Sequence, residues 1–198
     1  MQTDTMFSSA SGVHHTPADI IERARATLEG IDLDPASSAI ANQIVKADRY
    51  YYDPYSYDIK ANVGGSPDGL NQSWQCRTLW LNPPFSVEKR SASGMIILND
   101  KGEPKRQRVI DQWVARWRQA ANADTVKDGA MLLVPARTDT EWFQPLFGLP
   151  MCFVAGRLKF SGADNGAPFP TMIAYAGPLV DRFYTIFEEI GVCGEFAR

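Results

Sequence analysis

The tetrapeptide Asn82-Pro83-Pro84-Phe85 sets a carboxamide, a backbone carbonyl and an aromatic ring side by side on a stiff turn. It follows an apolar run, Thr78-Leu79-Trp80-Leu81, with the composition of a short buried strand. Two prolines cannot continue a backbone ladder, so the strand has to stop there. Such a turn offers acceptors for polar hydrogens beside a surface for stacking. In an open α/β sheet, ligands bind outside the carboxyl ends of the strands.

A second group is Ile31-Asp32-Leu33-Asp34-Pro35, followed by Ala36-Ser37-Ser38. The alternation predicts a short strand ending at Pro35, with the small residues opening a helix through about Lys46. A carboxylate at such a strand end accepts hydrogen bonds from hydroxyls or an ammonium, and the helix start offers free N–H groups. The same pattern also describes a plain capped helix after a strand. Asp32 and Asp34 share a strand face, so parity does not separate a ligand role from a structural one.

A third group is the polar stretch 86–108, where Lys89, Arg90, Lys101, Lys105, Arg106 and Arg108 outnumber Glu88, Asp100 and Glu103. Within it, 95–98 followed by Asn99-Asp100-Lys101-Gly102 has the form of a hairpin arm. The arm reads either as a solvated loop or as a phosphate contact. Arg137, Asp139, Arg157 and Lys159 likewise suit salt bridges or phosphates.

Periodicity predicts the elements that position these groups. Thr16 as cap, Pro17 in the first helical position and Asp19 in the first turn open a helix over 17–29. Ile20, Ile21, Ala24 and Leu28 form its stripe, and Gly30 its stop. Ile40, Ile44 and Val45 line the second helix. Tyr50-Tyr51-Tyr52, with Tyr55 and Tyr57, reads as a packing cluster. Residues 62–71 read as loop, with a turn at Asp68-Gly69-Leu70 leading to Trp74. A helix over about 107–122 turns Val109, Ile110, Trp113, Val114 and Trp117 to one side. A core strand at 130–134 ends at Pro135, and 137–143 enters a short helix. Strands at 151–154 and 171–175 flank a loop at 161–170, and a helix over about 179–190 ends at Gly191. The alternation predicts an α/β fold, a Rossmann-like mostly parallel sheet. The last two strands have no helix between them, which predicts an antiparallel edge hairpin. Residues 1–14 read as a flexible tail and 15–198 as one domain carrying the basic insertion at about 86–108.

The 198 residues, 44% of them hydrophobic with five Trp and ten Phe, suffice for one substantial core. No stretch approaches the roughly 20 apolar residues of a membrane span, and no secretory signal opens the chain. Cys76, Cys152 and Cys193 are widely separated, and a reducing cytoplasm fits them best. The two histidines are adjacent, a spacing that rarely serves one metal, so no metal site is expected. A net charge of -3 argues against nucleic-acid binding by bulk charge, though not by a local basic patch.

Asn82-Pro83-Pro84-Phe85 resembles the (Asp/Asn/Ser)-Pro-Pro-(Tyr/Phe) motif of methyltransferases acting on amino groups of nucleobases. The same turn marks enzymes that methylate glutamine side chains or guanine N2. The segment His15-Thr16-Pro17-x-x-Ile20 is similar to the Thr-Pro segment preceding their S-adenosylmethionine site. Asp34-Pro35-Ala36-Ser37 is similar to a reduced Asp-Pro-x-x-Gly cofactor loop. In order and spacing, these segments with Val134-Pro135-Ala136-Arg137-Thr138-Asp139-Thr140 and Gly156-Arg157-Leu158-Lys159-Phe160 resemble the phage-type DNA N6-adenine methyltransferase family. The resemblance runs from about His15 to Gly177. It departs at Ser37-Ser38-Ala39, where many relatives carry glycines.

The resemblance implies a class I methyltransferase type of sheet, S-adenosylmethionine as cofactor and DNA as substrate. Asn82, Pro83, Pro84 and Phe85 would be catalytic. His15, Thr16, Pro17, Asp32, Asp34, Pro35, Ala36, Ser37 and Asp68 would line the cofactor. Lys89, Arg90, Lys105, Arg106, Arg137, Arg157 and Lys159 would meet DNA. Other acceptors, an RNA base or a protein glutamine, share the turn. A non-catalytic anti-restriction protein would share the fold. With no room for a large recognition domain, sequence specificity would come from the 86–108 arm, from later loops or from a second subunit in a homodimer.

Overall fold

The computed structural model describes residues 15–53, 65–123, 125–160 and 166–197. The expected tail at 1–14, Tyr55 and Tyr57, and the loop residues 62–64 and 161–165 lie outside them. The sheet is built from β1 (Leu33–Ser37), β2 (Arg49–Tyr52), β3 (Ser66–Pro67), β4 (Cys76–Leu81), β7 (Val126–Pro135), β8 (Pro150–Val154), β9 (Thr171–Ala176) and β10 (Gly191–Glu195). Its order is β10-β8-β9-β7-β4-β1-β2-β3. β3, β2, β1, β4 and β7 run parallel. β9 is antiparallel to both β7 and β8, and β10 is antiparallel to β8. The fold is α/β with a mostly parallel sheet, compatible with a Rossmann-like arrangement. β8 and β9 do pair antiparallel, but the edge strand on that side is β10, which begins at Gly191, the residue expected only to end a helix.

The helices are α1 (Ala18–Leu28), α2 (Ala39–Val45), α3 (Ile110–Asn122) and α4 (Val180–Phe187). They cover both faces, which explains the near-continuous apolar runs of the central strands. On one face Leu33, Leu79, Leu81, Leu132 and Val134 pack with Trp113, Val114 and Trp117 of α3. On the other, Trp80, Met131, Leu133 and Tyr175 pack with Ile20, Ile21 and Leu28 of α1 and with Phe183 and Phe187 of α4. Among the described residues, no helix is long and apolar enough to cross a membrane.

Local sequence explains where the elements start. Pro17 stays extended at φ -56°, ψ 144°, so α1 begins at Ala18, and Thr16 is not its cap as the sequence had predicted. Ala36 and Ser37 remain in β1, and α2 starts after Ser38, whose hydroxyl accepts from the Ala41 N–H at 3.0 Å. Tyr50 and Tyr51 are buried in β2, a strand beside β1.

Between β4 and α3 the chain makes an arm. β5 (Ser86–Glu88) and β6 (Arg106–Arg108) pair antiparallel at its base. Further out, Arg90 pairs with Ile96 and Leu98 with Pro104, with Asn99–Glu103 closing a turn.

Candidate functional site

From β1 the chain moves outward to β2 and β3, then returns on the other side of β1 to form β4. The crevice outside the carboxyl ends of strands at such a reversal is where open α/β sheets bind ligands. Leu33 of β1 is in register with Leu79 of β4. Asp34–Ser37 and Asn82–Phe85 therefore leave the same end of adjacent strands.

Asp34, the second residue of β1, is 3% exposed. Its Oδ1 accepts from the Ala36 N–H at 3.2 Å. Burial pushes its pKa up to about 7, although the Ser37 hydroxyl and the Ala36 amide pull the other way. The Ser37 Oγ is buried, adjoins this carboxylate and makes no aligned hydrogen bond of its own. A buried carboxylate supported by one hydroxyl and one amide suits a cationic or hydrogen-bonding ligand.

Asn82 is half-buried at the end of β4, and its Nδ2 donates to Thr16 Oγ1 at 3.0 Å. This bond leaves Asn82 Oδ1 as the acceptor side of the carboxamide. Thr16 is itself buried. His15 and Pro17, its neighbours, are half-buried. The segment before α1 and the turn after β4 are thus one structure, although 66 positions separate the two residues.

Phe85 meets Phe169 edge to face, with ring centroids 5.2 Å apart and planes at 76°. The segment carrying Phe169 joins three of the motifs. Ala167 donates its N–H to Leu158 O at 2.7 Å, and Ala136 donates to Pro170 O at 2.9 Å. The Gly156–Phe160 and Val134–Thr140 segments are thereby held against the same short stretch that supports Phe85.

Asp68 lies over the end of β1. It has φ 58°, its N–H donates to Tyr52 O at 2.9 Å, and its Oδ2 accepts from Asn71 Nδ2 at 2.6 Å. A Cβ on the next residue, Gly69, would come 1.9 Å from the Pro35 carbonyl oxygen, so only glycine lets this loop close on β1.

Asp32 is not brought to this end. It precedes β1, its N–H donates to Thr78 Oγ1 at 3.0 Å, and its Oδ2 accepts from the Arg77 N–H at 2.8 Å. It clips β1 to β4, the structural alternative of the sequence reading.

The basic candidates divide. In the arm, Arg90 pairs with Glu88 at 3.2 Å and Arg106 Nε donates to Ser86 Oγ at 2.9 Å. Lys89 and Lys105 are exposed and follow the last registered pair at the base of the arm, where the Lys89 N–H donates to Lys105 O at 2.7 Å. Arg157 and Lys159 are exposed, and Arg137 is half-buried after β7. A separate groove of about 490 Å³ lies beside α3, lined by Arg108, Arg118 and Trp142 among others, and contains none of the residues at the ends of β1 and β4.

Sequence reasoning missed Phe169 and Gly69 as parts of the site. For Phe169 the available signal was an aromatic set between two prolines in a loop. For Gly69 it was the Asp-Gly turn itself.

No protein-family model and no curated protein matches the chain.

Proposed function

We propose that this chain is an S-adenosylmethionine-dependent methyltransferase acting on the N6 amino group of adenine in DNA. The observation that carries the reading is the Asn82–Thr16 hydrogen bond, at the sheet reversal where Asp34 is buried. The strand order supports a class I methyltransferase type of sheet, and the motifs resembling the phage-type adenine enzymes supply the substrate class.

The residues fit the cofactor. Asp34 would take the ammonium of its methionine part, whose positive charge favours the ionised carboxylate. The Ser37 hydroxyl and the Asp68-Gly69 loop would line the remainder. When bound, the cofactor supplies a methyl group on a sulfonium centre.

The chain's own part is to make a poor nucleophile competent. The adenine N6 lone pair is delocalised into the ring. Asn82 Oδ1 and the Pro83 carbonyl would accept the two amino hydrogens and draw the nitrogen towards a tetrahedral geometry, which localises that pair. Neutral Asn82 is no base, so the amino proton leaves to water after the new N–C bond forms. Because Thr16 and the two prolines fix these acceptors beforehand, little reorganisation is left for the reaction. Phe85, braced by Phe169, would stack on the flipped base, returning about 1–3 kcal/mol against an extrusion cost of a few kcal/mol.

The test is transfer from methyl-labelled S-adenosylmethionine to unmethylated duplex DNA, RNA or protein. The expected product is N6-methyladenine in the DNA digest. Label in RNA or on protein glutamine would reassign the acceptor. Cofactor binding with no transfer to any of the three would make the chain a non-catalytic binder.

A further inference from the structure

Among the described residues five large apolar side chains are exposed, and three share the arm: Met95 at 69%, Ile96 at 39% and Leu98 at 51%. Single exposed apolar residues are ordinary, but three within four positions on a projecting hairpin are not. Along the arm basic side chains outnumber acidic ones. Residues 86–108 hold six basic and three acidic side chains, a net +3 in a chain of net charge -3. Lys89 and Lys105, both exposed, follow the last registered pair of the base ladder and are joined there by the bond from the Lys89 N–H to the Lys105 carbonyl, so two cations flank the arm at one level.

An exposed apolar segment between the turns at 91–95 and 99–103, with basic flanks, matches one kind of partner. Met, Ile and Leu side chains inserted between base steps unstack and kink duplex DNA, while Lys and Arg contact the flanking phosphates. A second arm would bring the same positive charge to the contact, whereas DNA brings the opposite one. The arm is also anchored at the right place. It leaves at Phe85 and returns at Val109, whose N–H donates to the Phe85 carbonyl at 3.1 Å.

We propose that the exposed 95–98 segment of the arm is a wedge for duplex DNA, with Met95, Ile96 and Leu98 meeting the base stack beside the target nucleotide and Lys89 and Lys105 neutralising the adjacent phosphates. The inference rests on the adenine methyltransferase reading and adds to it the device that opens the stack. Target extrusion is then driven from the same turn that receives the base.

The experiment compares wild type with the triple variant Met95→Ser/Ile96→Ser/Leu98→Ser. It reads cofactor affinity, methyl transfer to duplex DNA, transfer to duplexes whose adenines lie opposite abasic sites, and 2-aminopurine fluorescence in mixed-sequence duplexes. The expected result is a loss on the order of tenfold to a hundredfold on intact duplex and of the fluorescence rise, because the unstacking step is no longer assisted. Transfer opposite abasic sites and cofactor affinity should stay within about twofold of wild type, since unpaired targets are the least costly to extrude. Unchanged activity on intact duplex overturns the wedge, as does an equal loss on both substrates. A wild-type dimer that the variant converts to monomer also overturns it, by giving the apolar segment to self-association. Should the triple variant lose cofactor binding, Met95→Ser alone carries the same comparison. If wild type transfers no methyl to DNA yet raises 2-aminopurine fluorescence through these three residues, the wedge stands and the methyltransferase reading falls.

Discussion

Asn82 and Thr16 are joined by a 3.0 Å hydrogen bond from the carboxamide Nδ2 to the hydroxyl, tying the turn after β4 to the residue two positions before α1. The bond decides which side of the Asn82 amide faces the site. Thr16→Val keeps the shape and removes the acceptor. An unpaired buried polar group costs about 1–3 kcal/mol, so turnover on DNA should fall about tenfold or more, and by a larger factor than cofactor affinity. Thr16→Ser should restore it. Parallel kcat and cofactor-binding measurements separate this positioning role from a general loss of stability.

Asn82→Ala removes an acceptor that nothing else in the turn replaces. Methyl transfer should drop by at least about a hundredfold, the scale of losing one preorganised polar group at a reacting centre. Cofactor binding should persist. Retained transfer would remove Asn82 from the reaction.

Asp34 gives a pH dependence in two opposite directions. Its pKa is raised to about 7 from an ordinary 3.8, so between these values the folded chain holds a proton that the unfolded chain has released. Its contribution to the stability of the ligand-free fold is therefore most favourable below pH 4 and declines as pH rises through 7. Cofactor binding should respond the other way, strengthening as the carboxylate ionises through pH 7. Asp34→Asn should raise the melting temperature at pH 8, weaken cofactor binding and flatten its pH profile. Calorimetry at pH 5 and 8 reads both effects.

Gly69→Ala forces a Cβ against the Pro35 carbonyl oxygen. The loop must move off the end of β1. The expected outcome is weaker cofactor binding together with a stability loss of about 1–3 kcal/mol, the usual cost of overpacking. Titration of the cofactor against this variant, alongside its urea midpoint, checks both.

Phe85 is half-buried, with one contact to Phe169 and others to the core beneath. Phe85→Ala should cost roughly 1–2 kcal/mol of stability, less than a fully buried phenylalanine. It should also weaken binding of a mismatched target duplex by about 1–3 kcal/mol while sparing the cofactor. A variant that simply unfolds would assign the ring to the core.

The turn after β4 could be read directly because two prolines end a ladder, whereas the end of β1 could not: Pro35 reads as a stop, yet an irregularity between Asp34 and Ser37 accommodates it and the strand runs on to Ser37. β2 was not legible as a strand. Tyr50 and Tyr51 are both buried, so the aromatic run carries no alternation to mark it. β10 was hidden for a different reason. Its Gly191 and Gly194 disfavour a strand, yet at 191 a Cβ would lie 2.3 Å from the Phe153 carbonyl oxygen, so glycine is what lets the edge pair at all. Phe169 and the second role of Thr16 depend on contacts between segments distant in sequence, which no local pattern encodes. Asp32 and Asp34, identical in parity, are told apart only by what lies beside them: the Arg77 backbone for one, and for the other a buried pocket with the Ser37 hydroxyl.

The hydrogen bond from Val109 to Phe85 closes the neck of the arm. Everything between these residues leaves the sheet and comes back to the point where it left. The entropy of closing such a loop grows only slowly with its length. An arm of another length beyond Val87, whose side chain packs against the core, would therefore fit the same neck without disturbing β4 or α3. The outer arm is thus an interchangeable cassette on a fixed chassis.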